Sequence, residues 1–178
     1  MRPLWSDGKL VRGSLKGDGR SAEELVRRHY ARAWRAALAV TGQTTLADDA
    51  AQDAFERAIN RLDRFDRSRL FGPWIGRIAV NCALDIVAGR AREVSMGDAL
   101  LSVADRHTSE MTDEQMDLVR ALGELPVDHR ATVVLRLYVG LAAAETAEAL
   151  GVEVGTVHSR LSRARGQLRQ LLEERTDV

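Results

Sequence analysis

An all-α fold of two small helical domains joined by a flexible acidic linker is the class this chain predicts. Three observations carry it. Aromatic residues make up only 4% of the 178 residues while alanine and leucine abound, a mix that favours helices packed through small and medium side chains. Apolar residues recur at helical spacing through several long segments, and no run of alternating β-branched residues appears. Residues 93–112 lose that period and collect glycine, serine and acids. The chain is thus divided into 1–92, a linker over 93–112, and 113–178.

Taken in order, residues 7–16 predict a short helix closed by Gly17 and Asp18. Ser21 then opens a capping box with Glu24, each side chain answering the other's backbone N–H. In the helix that follows, Leu25, Val26, Tyr30, Ala33, Trp34, Ala37 and Leu38 mark an inward face, with Arg27, Arg28, Arg32 and Arg35 opposite. Gly42 stops it. Thr45 caps the next, whose Leu46, Ala50, Ala54, Phe55, Ala58, Ile59 and Leu62 face inward. A polar turn, DRFDRSR, separates it from a third long helix over 71–89. There Trp74, Ile75, Ile78, Cys82 and Ile86 form the buried stripe, so Cys82 reads as a small core residue. The second domain starts near Thr112, with Leu122, Leu125, Val134, Leu135 and Tyr138 as its core and Gly140 as a break.

Charge is neutral overall but uneven. Residues 1–92 carry 17 basic and 11 acidic side chains, residues 93–120 carry 2 and 7, and residues 121–178 carry 7 and 8. One cysteine excludes an internal disulfide and a multi-cysteine zinc site. The four histidines lie in separate segments without metal-ligand spacing. No phosphate-binding glycine loop or nucleophile elbow is visible, so neither catalytic residues, nor a metal, nor a cofactor is expected, and the protein reads as no enzyme. The opening residues hold no continuous apolar stretch, and no apolar run reaches the ~18–20 residues of a membrane span, so a cytoplasmic protein without membrane insertion is expected.

The stretch GTVHSRLSRARGQLRQL, residues 155–171, contains four arginines and no acid. It completes a helix-turn-helix pattern. Two closely crossing helices need a small residue on the first, a left-handed backbone in the turn and an apolar residue on the second. Ala147, Gly151 and Val157 supply these, and Leu150 and Leu161 fill the space between. The stripe Val157, Leu161, Ala164, Leu168 and Leu171 leaves Thr156, Ser159, Arg160, Ser162, Arg163 and Arg169 on or near the other side. Short hydroxyls and arginines at the start of a second helix suit the DNA major groove.

The N-terminal half sharpens this. ADDAAQDAFERA (47–58), FGPWIGRIAVNCALD (71–85), LPVDHR (125–130) and TVHSRLSRAR (156–165) stand in the order and spacing of a known pattern. The chain resembles the extracytoplasmic-function group of bacterial sigma factors, over residues 7–172. The resemblance implies that it binds RNA polymerase core, directs it to promoter DNA by minus-ten and minus-thirty-five elements, and helps to melt the duplex. It also brings an anti-sigma factor into view as a partner. Region 2 then occupies 1–92 and region 4 occupies 113–178. Asp48, Asp49, Gln52, Asp53, Glu56 and Arg57 become the polymerase-binding face. Arg64, Phe65, Arg67 and Arg69 in the turn, with Arg77, Asn81 and Arg90 on the third long helix, become the minus-ten contacts. Thr156, His158, Ser159, Arg160, Ser162 and Arg163 become the minus-thirty-five contacts. Trp74, at core spacing, reads as packing.

The chain departs from the family pattern at Ala88, where arginine is frequent, and at Ala142, which cannot cap its helix. Thr146 replaces the usual isoleucine, and His158 the usual lysine. A rival reading, a stand-alone helix-turn-helix regulator on a duplex operator, leaves the acidic helix and the arginine-rich turn without a purpose.

Overall fold

The computed structural model describes residues 6–94 and 111–176, and every regular element among them is helical. Most of the expected linker lies outside the described residues. Helix α1 (Asp7–Leu15) buries Leu10 and Val11, and full burial of such a side chain stabilises by about 1.5–3 kcal/mol. It crosses α2 (Gly19–Thr41) closely. A Cβ on Gly13 would stand 2.2 Å from the Ser21 hydroxyl, so only glycine fits there.

That crossing corrects the expected cap. The N-cap of α2 is Asp18: one carboxylate oxygen accepts from Arg20 N–H at 3.1 Å, the other from the Ser21 hydroxyl at 2.6 Å. Gly17, at φ 83°, has already turned the chain, so the helix starts as soon as a capping side chain is available. Ser21 is buried, and Glu24 turns outward to Arg27 and Arg28 at 2.7 and 2.8 Å. Gly42 ends α2 at φ 69°, as expected.

Helix α3 (Thr44–Asn60) begins from Gln43 without a side-chain cap, so Thr45 lies inside its first turn and is not the cap. It buries Leu46, Ala47, Ala50, Ala51, Ala54, Phe55 and Ala58. A 3-10 turn (Leu62–Arg64) leads to α4 (Phe71–Val94), which outruns both the expected helix end and the expected domain boundary. Contrary to expectation, Phe71–Arg92 has the length and hydropathy of a membrane span. Its apolar character goes into the bundle: Ile75, Ala79, Val80, Cys82 and Ala83 are buried.

In the second half, Thr112 caps α5 (Asp113–Gly123) in a complete capping box with Gln115. Helix α6 (Val127–Val133) widens into a π-helical turn (Val134–Val139) that Gly140 closes at φ 88°. Helix α7 (Ala143–Leu150), Gly151 at φ 64° and α8 (Val154–Thr176) form the helix-turn-helix. Ala147 and Val157 are buried where the two helices cross.

The π turn shifts the register. One extra residue per turn puts Val139 in the core and leaves Tyr138 exposed, so Tyr138 is not the core residue its spacing predicts. Nor does each half keep a core to itself. One cluster joins Leu25, Leu38, Phe55 and Ile75 to Val134, Leu135, Val139 and Leu141 of the second half. A smaller one gathers Ala121, Leu122, Leu125, Val133, Ala164 and Leu168. The arginine face of α2, read as lying opposite the core, is part of this junction. Arg32 donates to the carbonyls of Tyr138 and Val139 at 3.0 and 3.4 Å and lies over the Tyr138 ring.

Candidate nucleic-acid interface

Helix α3 sends its alanines inward, and the same periodicity sends Asp49, Gln52, Asp53 and Glu56 to solvent. Asp48 is half-buried and accepts from the Tyr30 hydroxyl at 3.5 Å. Arg57, at the end of this face, pairs with Asp85 of α4 at 3.1 Å. The face is therefore acidic, and its one arginine is neutralised by a neighbouring helix.

The turn after α3 is held by Asp66. Its carboxylate accepts from the backbone N–H and hydroxyl of Ser68 at 2.9 and 2.7 Å. Those bonds, Ser68 foremost and Arg69 after it, hold the carboxyl below its ordinary range. Around this local closure Arg64, Arg67 and Arg69 are exposed, and Leu70 is 76% exposed. Phe65 is not among them. It is 5% exposed, edge-on to Phe71 at 5.6 Å and tilted on Trp74 at 4.8 Å. Phe65, expected among the minus-ten contacts of the turn, is instead packed inside: an aromatic in a polar turn falls into the nearest apolar gap, here the start of α4. Trp74 packs, as its spacing predicts.

On α4, Arg77 and Asn81 are half-buried and Arg90 is exposed, Arg90 reaching the Gln43 side-chain oxygen at 3.5 Å. Ala88, the departure in this segment, is exposed, and Arg92 donates to its carbonyl at 3.2 Å. Arg69, which also pairs with Asp66 of its own turn at 3.6 Å, and Arg77 have partners in the second half. Arg69 meets Glu145 at 2.8 Å and Arg77 meets Glu148 at 3.2 Å. Asn81 lines an open cleft with Arg57, Asp85, Asp128 and Arg160.

In the helix-turn-helix, His158, Ser159, Ser162 and Arg163 are exposed and Thr156 is half-buried, its carbonyl accepting from the Ser159 hydroxyl at 3.0 Å. Arg160 is not on the open side. It folds back to Asp128 at 2.7 Å, which corrects its expected exposure. The departures in α7 support one another. The Ala142 N–H, beside a residue with no capping oxygen, donates to Glu145 at 2.8 Å, half of a capping box. Thr146 is buried, and its hydroxyl donates to the Ala142 carbonyl at 3.0 Å. A polar residue at an apolar position is thus satisfied by its own helix.

Sequence reasoning missed the acids Glu145, Glu148, Asp85 and Asp128, because exposed carboxylates carry no sign of a distant partner. It gave no role to Arg130, although the LPVDHR motif contains it. Arg130 donates to the carbonyls of Val40, Gly123 and Leu125 at 2.6, 2.7 and 3.0 Å. Burial pushes its guanidinium pKa down from the ordinary value.

Comparison with known proteins gives these surfaces a family. Residues 15–93 match Sigma-70 region 2, and residues 115–168 match Sigma-70, region 4. The ECF RNA polymerase sigma factor SigM of Mycobacterium tuberculosis is 36% identical, over 94% of this chain and 85% of that protein. Among solved structures, CnrH in complex with the cytosolic domain of CnrY superposes with a TM-score of 0.65 at 31% identity, covering 94% of this chain and 97% of that one. RpoE in complex with the anti-sigma factor NepR from Bartonella quintana gives a TM-score of 0.69 at 27% identity, covering 85% and 96%. With its two matched regions, its helix-turn-helix and these relatives, the chain belongs to the extracytoplasmic-function sigma factors, which bind RNA polymerase core and direct promoter-specific initiation.

Proposed function

We propose that the work of this sigma factor is divided among three surfaces. The exposed acids of α3 (Asp49, Asp53 and Glu56, with Asp48, Gln52 and Arg57) dock on polymerase core. Arg64, Arg67 and Arg69, with Arg77, Asn81 and Arg90, hold the opened minus-ten strand. Single-stranded phosphates need cations, and an unpaired base edge needs a side-chain amide of the kind Asn81 offers. The start of α8, from Thr156 to Arg163, reads the minus-thirty-five duplex. The division runs along the chain: 1–92 for region 2, 93–112 as linker, 113–178 for region 4. Phe65 supports packing in this scheme.

The single observation that carries the scheme is α3. Asp49, Asp53 and Glu56 lie on the solvent side while its alanines and Phe55 are buried, so a partner can meet these acids without disturbing the fold. An anti-sigma factor belongs in the scheme as well, since the solved RpoE relative is held by one. The chain's part is binding and positioning, with no catalytic group of its own.

The experiment is charge reversal. Asp49→Lys with Asp53→Lys is expected to weaken binding to polymerase core at least tenfold in a titration. Stability should move by no more than ~0.5 kcal/mol, as exposed substitutions do. Core affinity unchanged in the double variant overturns the assignment.

A further inference from the structure

Helix α1 and its C-cap residue hold Lys9, Arg12 and Lys16 against a single acid, Asp7. Asp7 turns to α2, where it meets Arg28 at 3.4 Å and His29 at 2.8 Å. The three cations recur at i, i+3 and i+7, on the face opposite the buried Leu10 and Val11, and all are exposed. Among the described residues neither Arg12 nor Lys16 ends on a carboxylate. The arginines of α2 differ, since Arg27 and Arg28 both close on Glu24.

This basic face is fixed in place beside the minus-ten turn. Gly13 lies so close to α2 that a Cβ there would stand 2.9 Å from the Ser21 Cβ. The His29 ring, bound to Asp7, lies against Phe71 with ring centroids 5.0 Å apart, and a Cβ on Gly72 would be 3.6 Å from its Nδ1. The first turn of α1 is thereby tied to the start of α4, where the minus-ten turn ends. Helix α1 also packs on the 3-10 turn with which that segment begins. Residues 61–69 add four exposed arginines against Asp63 and Asp66, and Asp66 is occupied by Ser68. Basic surface therefore continues from the turn onto α1. The second half, which takes the upstream duplex, packs on α2 and α4, whereas α1 packs on α2 and the 3-10 turn. A strand that leaves the turn over α1 leaves on the downstream side.

We propose that the exposed face of α1 is a further single-strand site, in which Arg12 and Lys16 take phosphates of the DNA strand just downstream of the minus-ten element. The proposal rests on the assignment of the turn arginines to the minus-ten strand. Arg12 and Lys16 stand ~6 Å apart along the helix axis, so each meets its own phosphate of an extended strand. Phosphate contacts carry no sequence information, so the site adds hold and not choice.

The test uses polymerase holoenzyme made with the full chain, either parent or Arg12→Gln with Lys16→Gln, on two forked promoter fragments. Both present the minus-ten element as single strand, and the long fork continues that strand about eight nucleotides downstream, within the site size of single-strand binders. The variant should match the parent on the short fork and bind the long fork about tenfold more weakly near physiological salt. As salt rises from about 50 to about 200 mM, the parent should lose about sevenfold more of its long-fork affinity than the variant, the mark of two single-strand phosphate contacts. Arg12→Lys with Lys16→Arg, which keeps both charges, should bind both forks as the parent does. Equal long-fork affinity in parent and glutamine variant overturns the site. An equal loss on both forks also overturns it, because α1 then serves folding or polymerase docking. Arg64→Gln with Arg67→Gln separates the two readings. A loss on the short fork upholds the minus-ten assignment, so that a parent-like glutamine variant refutes the α1 site alone. No loss there removes the assignment and the proposal with it.

Discussion

Arg160 is held by an acid of its own half and stands at the start of a helix suited to a base edge. Its bond to Asp128 at 2.7 Å keeps the guanidinium folded against α6. A bidentate guanidinium–guanine contact discriminates by ~1–3 kcal/mol, more than an exposed pair to Asp128 contributes. The cognate base therefore wins when DNA is present. Arg160→Ala is expected to reduce the preference for the cognate minus-thirty-five site over a scrambled one by roughly tenfold. Arg169 stands nine residues further along α8, ~13 Å down the axis, where only phosphate is within reach. Arg169→Ala should weaken both sites alike and lower the salt dependence. The measurement is holoenzyme binding to the two sites at two salt concentrations. Equal losses on both sites for the two variants would mean that α8 only holds phosphates.

At the scale of elements, α6 is the helix that others depend on. Arg130 extends from it to the last turn of α2 and to the end of α5, taking three carbonyls that have no intrahelical partner. Arg130→Ala should destabilise the protein by about 2–4 kcal/mol, read as a lower urea midpoint, because charged hydrogen bonds are lost and carbonyls are left unpaired. Arg130→Lys should restore only part, since one ammonium cannot span the three acceptors. These elements differed in how far they could be read beforehand. The long helices, the Gly42 stop, the Thr112 start and the Ala147–Gly151–Val157 turn follow from periodicity and caps, both properties of neighbouring residues. The π turn does not, and Tyr138 and Val139 exchanged places because of it. Asp18 displaced Ser21 as a cap because both are good capping residues and α1 packs over the serine. The positions of Phe65 and Arg160, and the roles of Glu145 and Glu148, were set by distant partners, which a local pattern cannot contain.

For the whole molecule, the shared core has a thermodynamic signature. If Val134, Leu135, Val139 and Leu141 pack with the α2–α4 bundle, the two halves should lose structure together. All three tryptophans, Trp5, Trp34 and Trp74, lie in the first half, whereas far-ultraviolet circular dichroism reports helices throughout. The two signals should follow one urea transition with the same midpoint and slope. Two separated transitions would mean that each half folds alone. Gly76→Val should produce such a separation, since its branched side chain meets the Val139 methyls and pushes the π turn off α4.

The buried Cys82 makes the chain its own clock. Burial raises its thiol pKa to about 11, and the thiolate is the form that reacts. At pH 8 that leaves roughly one molecule in a thousand ionised, behind a wall of packed side chains. A disulfide reagent should therefore modify the folded protein only during excursions that expose α4, and the reaction rate counts those excursions. Labelling should lag that of the urea-unfolded chain by at least a thousandfold and should accelerate with Arg130→Ala. Prompt modification in native buffer would contradict it. With one thiol and no engineered probe, the protein reports how often its central helix is uncovered, alone or gripped by polymerase, on any timescale a quench can sample.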